Sequence, residues 1–152
     1  MDKLDRQIVT ELQMDFPVCP DPYGIVADRL EIDRDTLLDR VRRLMESGTI
    51  RRIGVSIDSR KMGYSSTLAA VRVAGGQIDS ASQVIDSYPE ITHSYLRNDE
   101  FNIWFTVIAV DRQRIDHLLE ELRCKLNIET SDVLDLPVKQ LFKLDARFKP
   151  AK

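Results

Sequence analysis

The sequence predicts an α+β protein made of two modules: a winged helix-turn-helix over residues 1–60 and a ferredoxin-like βαββαβ unit over residues 61–152. Three observations carry this. Within the first 48 residues, three short stretches with helical apolar spacing are separated by proline- and glycine-bearing breaks. An alternating, β-prone stretch then follows, which is the layout of a winged helix. Beyond Gly63 the signals run strand, helix, strand, strand, helix, strand.

In the first module, Leu4, Ile8 and Leu12 recur at helical spacing, and Phe16-Pro17 ends that helix because the residue before proline avoids the helical region. Pro22 suits the first position of a second helix carrying Ile25, Val26 and Leu30. Asp33 or Asp35 can cap a third, with Leu37, Leu38, Val41, Leu44 and Met45, which Ser47-Gly48 stops. Thr49 to Ile57 alternates through Ile50, Ile53, Val55 and Ile57, and is expected to form the β-ribbon of the wing.

In the second module, Ser66–Val73 reads as a strand, Ile78–Tyr88 as a helix ended by Pro89, and Ile91–Arg97 and Asn102–Val110 as strands joined by a turn at Asn98-Asp99-Glu100. Asp111 caps a helix whose inner stripe is Ile115, Leu118, Leu119, Leu122 and Leu126. A last strand lies between Thr130 and Leu144, bent at Pro137, and the basic tail after Asp145 is expected to be loose.

Composition narrows the function classes. A chain of 152 residues, 43% hydrophobic and 31% charged, can bury a real core. No apolar run approaches the roughly 20 residues of a membrane span, and the charged N-terminus lacks a signal-peptide core, so a cytoplasmic protein is expected. Cys19 and Cys124 lie far apart, without the spacing of a zinc or redox motif. Net charge is −3, and residues 1–58, with nine Lys/Arg against twelve Asp/Glu, hold the whole deficit. There is no polycation to attract nucleic acid.

Side chains alternate along a strand, so His93, Tyr95 and Arg97 point to one face. If the turn after them is symmetric, Arg97 lies opposite Asn102, Tyr95 opposite Trp104 and His93 opposite Thr106. The other face then shows Ile103, Phe105, Val107 and Ala109, apolar enough to pack on the two helices. Taken singly these residues have ordinary explanations: a structural histidine, a solvated edge charge, an interface tryptophan. Their gathering on one face brings a functional site level with those explanations. His117 falls off the apolar stripe of its helix and is expected to be a plain surface residue.

A winged helix followed by a βαββαβ module resembles the Lrp/AsnC regulators. Two stretches narrow the likeness: Ile50-Arg51-Arg52-Ile53-Gly54 with Asp58-Ser59-Arg60-Lys61-Met62-Gly63-Tyr64, and Thr92-His93-Ser94-Tyr95-Leu96-Arg97 with Asn102-Ile103-Trp104-Phe105-Thr106. Together they resemble the siroheme decarboxylases of alternative haem and d-type haem biosynthesis, over nearly the whole chain. One departure is Ser94, where that family usually has asparagine. The resemblance implies a carboxy-lyase that removes carbon dioxide from the two acetate side chains of siroheme. It implies no cofactor beyond the iron tetrapyrrole substrate, and a homologous partner subunit in a heterodimer, or a homodimer.

The residues suit that chemistry. A flat apolar ring rimmed with carboxylates needs cations at the rim and an aromatic wall at the plane. Arg97 can fork onto a carboxylate, and Tyr95 and Trp104 can form the wall. Asn102 is expected to bind substrate as well, and Arg51, Arg52 and Lys61 offer further cations. Decarboxylation leaves a carbon that must be protonated, so His93 or Tyr95 is a candidate acid; His93 is equally a candidate ligand to the substrate iron. The basic residues would fit a DNA phosphate as well as a carboxylate. Against DNA stands the third helix, whose N-terminal end, the part that reads bases in a helix-turn-helix, carries Asp33, Asp35 and Asp39. The expectation is therefore an enzyme without DNA binding, the alternative being an Lrp/AsnC-type regulator or a haem-sensing module.

Overall fold

A computed structural model describes residues 1–148 as two compact units. One comprises Met1–Ser56 joined by the chain from Lys143; the other is Ile57–Phe142.

The helical unit holds α1 (Lys3–Met14), α2 (Pro22–Arg29) and α3 (Arg34–Glu46). Each begins on an aspartate whose carboxylate accepts a backbone N–H of the first turn: Asp2 from Asp5, Asp21 from Gly24, Asp33 from Thr36. Ile8, Val26 and Leu37, one from each helix, are fully buried against one another's neighbours in a single apolar cluster. Gly48, at φ +73°, ends α3 in the left-handed conformation. The Ile50 N–H then bonds the Leu44 carbonyl at 2.9 Å, which turns Ile50 back onto that cluster.

The wing departs from expectation: among the described residues, none from Arg51 to Asp58 is in a strand. Ile50 and Ile53 pack on the helices, whereas Val55 and Ile57 are exposed. Alternation alone does not make a ladder; the segment has no neighbouring strand in its unit to hydrogen-bond. The tail also differs from expectation. Its described residues, 143–148, group with the helical unit rather than with the second module, and the Gln13 side-chain amide both donates to the Phe148 carbonyl and accepts its N–H, each at 3.3 Å.

The second unit contains β1 (Ser65–Val71), α4 (Ile78–Asp86), β2 (Ile91–Leu96), β3 (Ile103–Ala109), α5 (Arg112–Leu126) and β4 (Val133–Pro137). The sheet is antiparallel in the order β2-β3-β1-β4, so the first and third strands are central, as a βαββαβ chain requires. Its inner face carries Ile103, Phe105, Val107 and Ala109, all buried with Ile85, Ile115, Leu118 and Leu122 of the two helices. Asp111 caps α5 by accepting the Arg114 N–H, and Asn127, at φ +50°, ends it.

Polar groups hold the sheet's ends. Asp135 on β4 accepts the buried Thr67 hydroxyl at 2.6 Å and pairs with Arg112. Arg72, just past β1, donates to Asp132 at 2.7 Å and pairs with Glu100 of the β2–β3 turn. The Asp135 carboxyl, despite its partial burial, is held below the ordinary aspartate value by its bonds to Arg112 and Thr67. No helix among the described residues is long and apolar enough to cross a membrane.

Candidate functional site on the outer sheet face

The hairpin of β2 and β3 has the predicted register. His93 pairs with Thr106 and Tyr95 with Trp104, and the Arg97 N–H bonds the Asn102 carbonyl at 2.8 Å. These residues stand on the sheet face opposite the buried core. Across the sheet, Tyr95 and Trp104 continue in register to Ala70 and Leu134; His93 and Thr106 continue to Leu68 and Leu136. The face thus has a polar and aromatic edge on β2 and an apolar middle. Tyr95, Leu68 and Leu136 are 54%, 41% and 44% exposed.

A β-bulge decides which way His93 points. Ile91 pairs with Val107 and His93 with Thr106, so Thr92 is an extra residue between them. Ile91 and His93 are two apart and in a regular strand would share a face. The bulge lets Ile91 pack inward on the core while His93 turns to the outer face. Reading by alternation alone missed this. The signal was present: an apolar residue that must go in, two positions before a polar one that must go out.

The side chains of the site are arrayed without tight ion pairing. The His93 and Tyr95 rings lie nearly parallel, at 14°, with centroids 6.4 Å apart. The Arg97 guanidinium carbon sits 5.8 Å from the centroid of the Trp104 ring. Trp104 is fixed by its indole N–H, which donates to the Phe101 carbonyl at 2.7 Å. Among the described residues no carboxylate lies within ion-pair distance of Arg97, whereas most arginines of this unit are so paired. A shallow cavity of about 340 Å³ opens beside Arg97, lined by Ile78, Leu96, Arg97, Asn98, Asp99 and Asn102.

Asn102 lines that cavity and also bonds the backbone after β1. Its side-chain amide donates to the Val73 carbonyl at 2.8 Å and its oxygen accepts the Val73 N–H at 3.1 Å. These two bonds fasten the hairpin to the segment after β1 and leave one N–H and one oxygen lone pair of the amide for a ligand. Arg51 and Arg52 are exposed in the helical unit; Lys61 is exposed in a 3-10 turn, Ser59–Met62, of the sheet unit. Its neighbour Arg60 is tied to Asp58 at 3.1 Å. His117 is on the surface of α5, as expected.

On α3, Arg34 pairs with Asp21, Arg40 with Asp2 and Asp5, and Arg42 with Asp39. Three of this helix's four arginines therefore already face a carboxylate.

Residues 5–51 match the family described as the siroheme decarboxylase NirDL-like HTH domain, and residues 61–143 match the AsnC-like ligand binding domain. The chain is 36% identical over 149 residues to the siroheme decarboxylase alpha subunit of Desulfovibrio desulfuricans, covering 98% of this chain and 84% of that protein. It is 32% identical over 148 residues to the siroheme decarboxylase NirD subunit of Pseudomonas aeruginosa, covering 97% and 96%. Among solved structures, it is similar to the siroheme decarboxylase NirDL in co-complex with an iron-uroporphyrin III analogue, with a TM-score of 0.70 and 25% identity over 96% of this chain and 48% of that one. E. coli AsnC shares the fold, with a TM-score of 0.81 at 20% identity over 99% of both chains. The chain belongs to the siroheme decarboxylase family.

Proposed function

We propose that this chain is a subunit of a siroheme decarboxylase, a carboxy-lyase that removes carbon dioxide without redox change from the two acetate side chains of siroheme, giving didecarboxysiroheme. The observation that carries the reading is Arg97, which has no carboxylate partner among the described residues, lies over the Trp104 ring and shares one face with Tyr95 and His93. A macrocycle can lie on the aromatic and apolar part of this face with a rim carboxylate on Arg97. A metabolic place follows from the substrate: alternative haem or d-type haem biosynthesis.

The reaction balances simply. The bond between the methylene carbon and the carboxylate breaks, carbon dioxide leaves, and the electron pair stays on the methylene carbon, which takes one proton to become a methyl group. Arg97 orients the carboxylate. The proton comes from His93 or Tyr95, or His93 holds the substrate iron while Tyr95 supplies it. No cofactor beyond the tetrapyrrole enters this scheme.

The relatives named as alpha, NirD and NirG subunits support an assembly with a homologous partner. The exposed Tyr95, Leu68 and Leu136 suit burial under that partner or a second copy, with the ligand near the interface. The paired arginines of α3 support a helix-turn-helix that serves as scaffold and does not bind DNA, because carboxylates beside those cations oppose the phosphate contacts on which DNA affinity depends. The test is anaerobic incubation of siroheme with the purified chain, alone and with its copurified partner, following product by mass. Loss of two carbon dioxide molecules in either preparation supports the reading. Unchanged siroheme in both overturns it, and salt-sensitive binding to its own promoter DNA would favour a regulator instead.

A further inference from the structure

We infer that Thr92 is a positioning residue that holds the His93 ring in its Nδ1–H form, leaving Nε2 as the one nitrogen open to the substrate. The inference rests on the proposed role of His93 in siroheme decarboxylation, but the contact that carries it is independent of that role.

Adjacent residues of a regular strand point to opposite faces, so a strand neighbour seldom reaches a histidine ring. Here the bulge between Ile91 and His93 removes that restriction. The Thr92 hydroxyl oxygen lies 2.9 Å from His93 Nδ1. The same oxygen is 3.5 Å from the Thr106 carbonyl, on the strand opposite. A hydroxyl has one proton, and a carbonyl can only accept. Both contacts are satisfied in one arrangement: the Thr92 hydroxyl donates to the Thr106 carbonyl, and His93 Nδ1–H donates to the Thr92 oxygen. The Nε2 lone pair is then free. Without such a partner, a neutral imidazole in water favours the opposite tautomer, with the proton on Nε2.

The consequence is the same for either task of His93. As iron ligand it needs an unprotonated Nε2 and an orientation fixed by the hydrogen bond at its other nitrogen. As acid it must take a proton at Nε2 from solvent and release it there, while Nδ1–H stays on Thr92 throughout. A chain of hydrogen bonds from the β3 backbone through Thr92 thus sets which nitrogen does the work. Thr92 itself touches no reacting atom.

The chain has two histidines, His93 and the surface His117, so the ring nitrogens can be read directly. The experiment uses nitrogen-15-labelled full-length protein carrying His117→Gln, at a pH where His93 is neutral, and records long-range proton–nitrogen correlations of the imidazole. Thr92→Val keeps the β-branched shape that suits the bulge and removes the hydroxyl; Thr92→Ser keeps the hydroxyl. The expected result is an Nδ1–H ring with this threonine and with Thr92→Ser, and a shift toward Nε2–H in Thr92→Val. Siroheme turnover should fall roughly 10- to 100-fold in Thr92→Val, the usual loss when the partner orienting a metal-binding histidine is removed, and be restored in Thr92→Ser. An Nε2–H ring with Thr92 intact, or a tautomer unmoved by Thr92→Val, overturns the inference. If the tautomers behave as expected but His93→Ala turns over siroheme at the full rate, the positioning stands and the role given to His93 fails.

Discussion

Arg97→Ala separates binding from folding, because the two depend on Arg97 so unequally. In the free protein the guanidinium is exposed and has Trp104 as its neighbour, 5.8 Å from the ring centroid. An exposed cation–π contact is worth about 0.5–1 kcal/mol, so its loss should lower stability by no more than that. In the complex the same group is proposed to hold a siroheme carboxylate. A hydrogen bond to a charged group is worth about 1.5–3 kcal/mol, which is roughly 10- to 150-fold in Kd. The assay is a pair of measurements on one preparation: urea unfolding for stability and anaerobic siroheme titration by absorbance for Kd. The expected pattern is a nearly unchanged unfolding midpoint with clearly weaker binding. Siroheme bound by Arg97→Ala within twofold of the unaltered protein refutes the carboxylate contact, whatever happens to turnover.

His93→Ala should bind siroheme through the remaining contacts but lose turnover by about 10²–10⁴ if His93 is the acid; if it is the iron ligand, the absorption spectrum of bound siroheme shifts as well, and an unchanged rate and spectrum remove it from the site. Phe105→Ala, at the fully buried centre of the inner sheet face, should cost about 3–5 kcal/mol in urea unfolding, and a loss under 1 kcal/mol would contradict the packing described. Asp132 is held below the ordinary aspartate value of 3.8 by its hydrogen bond from Arg72 and by the Glu129 backbone N–H. Because its native carboxyl binds protons less readily than in the unfolded chain, the stability it confers is complete above that ordinary value and disappears as pH falls through its lower native value. Asp132→Asn should therefore be less stable at neutral pH by a margin that narrows in acid, and a margin independent of pH would contradict the assignment.

The parts legible in the sequence were those governed by local chemistry. Asp33 and Asp111 mark the starts of α3 and α5, Pro22 that of α2, and Gly48 marks a stop, because these signals act within one turn. The β2–β3 register was legible because only one pairing puts Phe105 and Val107 inside and Trp104 opposite Tyr95. Non-local features were harder. The wing read as a ribbon from its alternation, yet a ribbon depends on a partner strand, which alternation does not reveal. Asn102 read as a ligand contact because its amide is polar and opposite Arg97; that the same amide also ties the hairpin to Val73 depends on the path of a segment far away in sequence. The return of the tail to Gln13 is of the same kind. The bulge at Thr92 lies between these extremes, since the conflict between Ile91 and His93 was already written in the sequence.

The central claim, decarboxylation with one proton delivered for each carbon dioxide lost, is tested most directly by turnover in heavy water. Siroheme is incubated anaerobically in D₂O with the purified protein, alone and together with any subunit that copurifies, and the product is analysed by mass spectrometry. The account predicts a tetrapyrrole that has lost two carbon dioxide molecules and carries one deuterium in each new methyl group. Siroheme recovered intact, or decarboxylated product whose new methyl groups contain no deuterium, would contradict it.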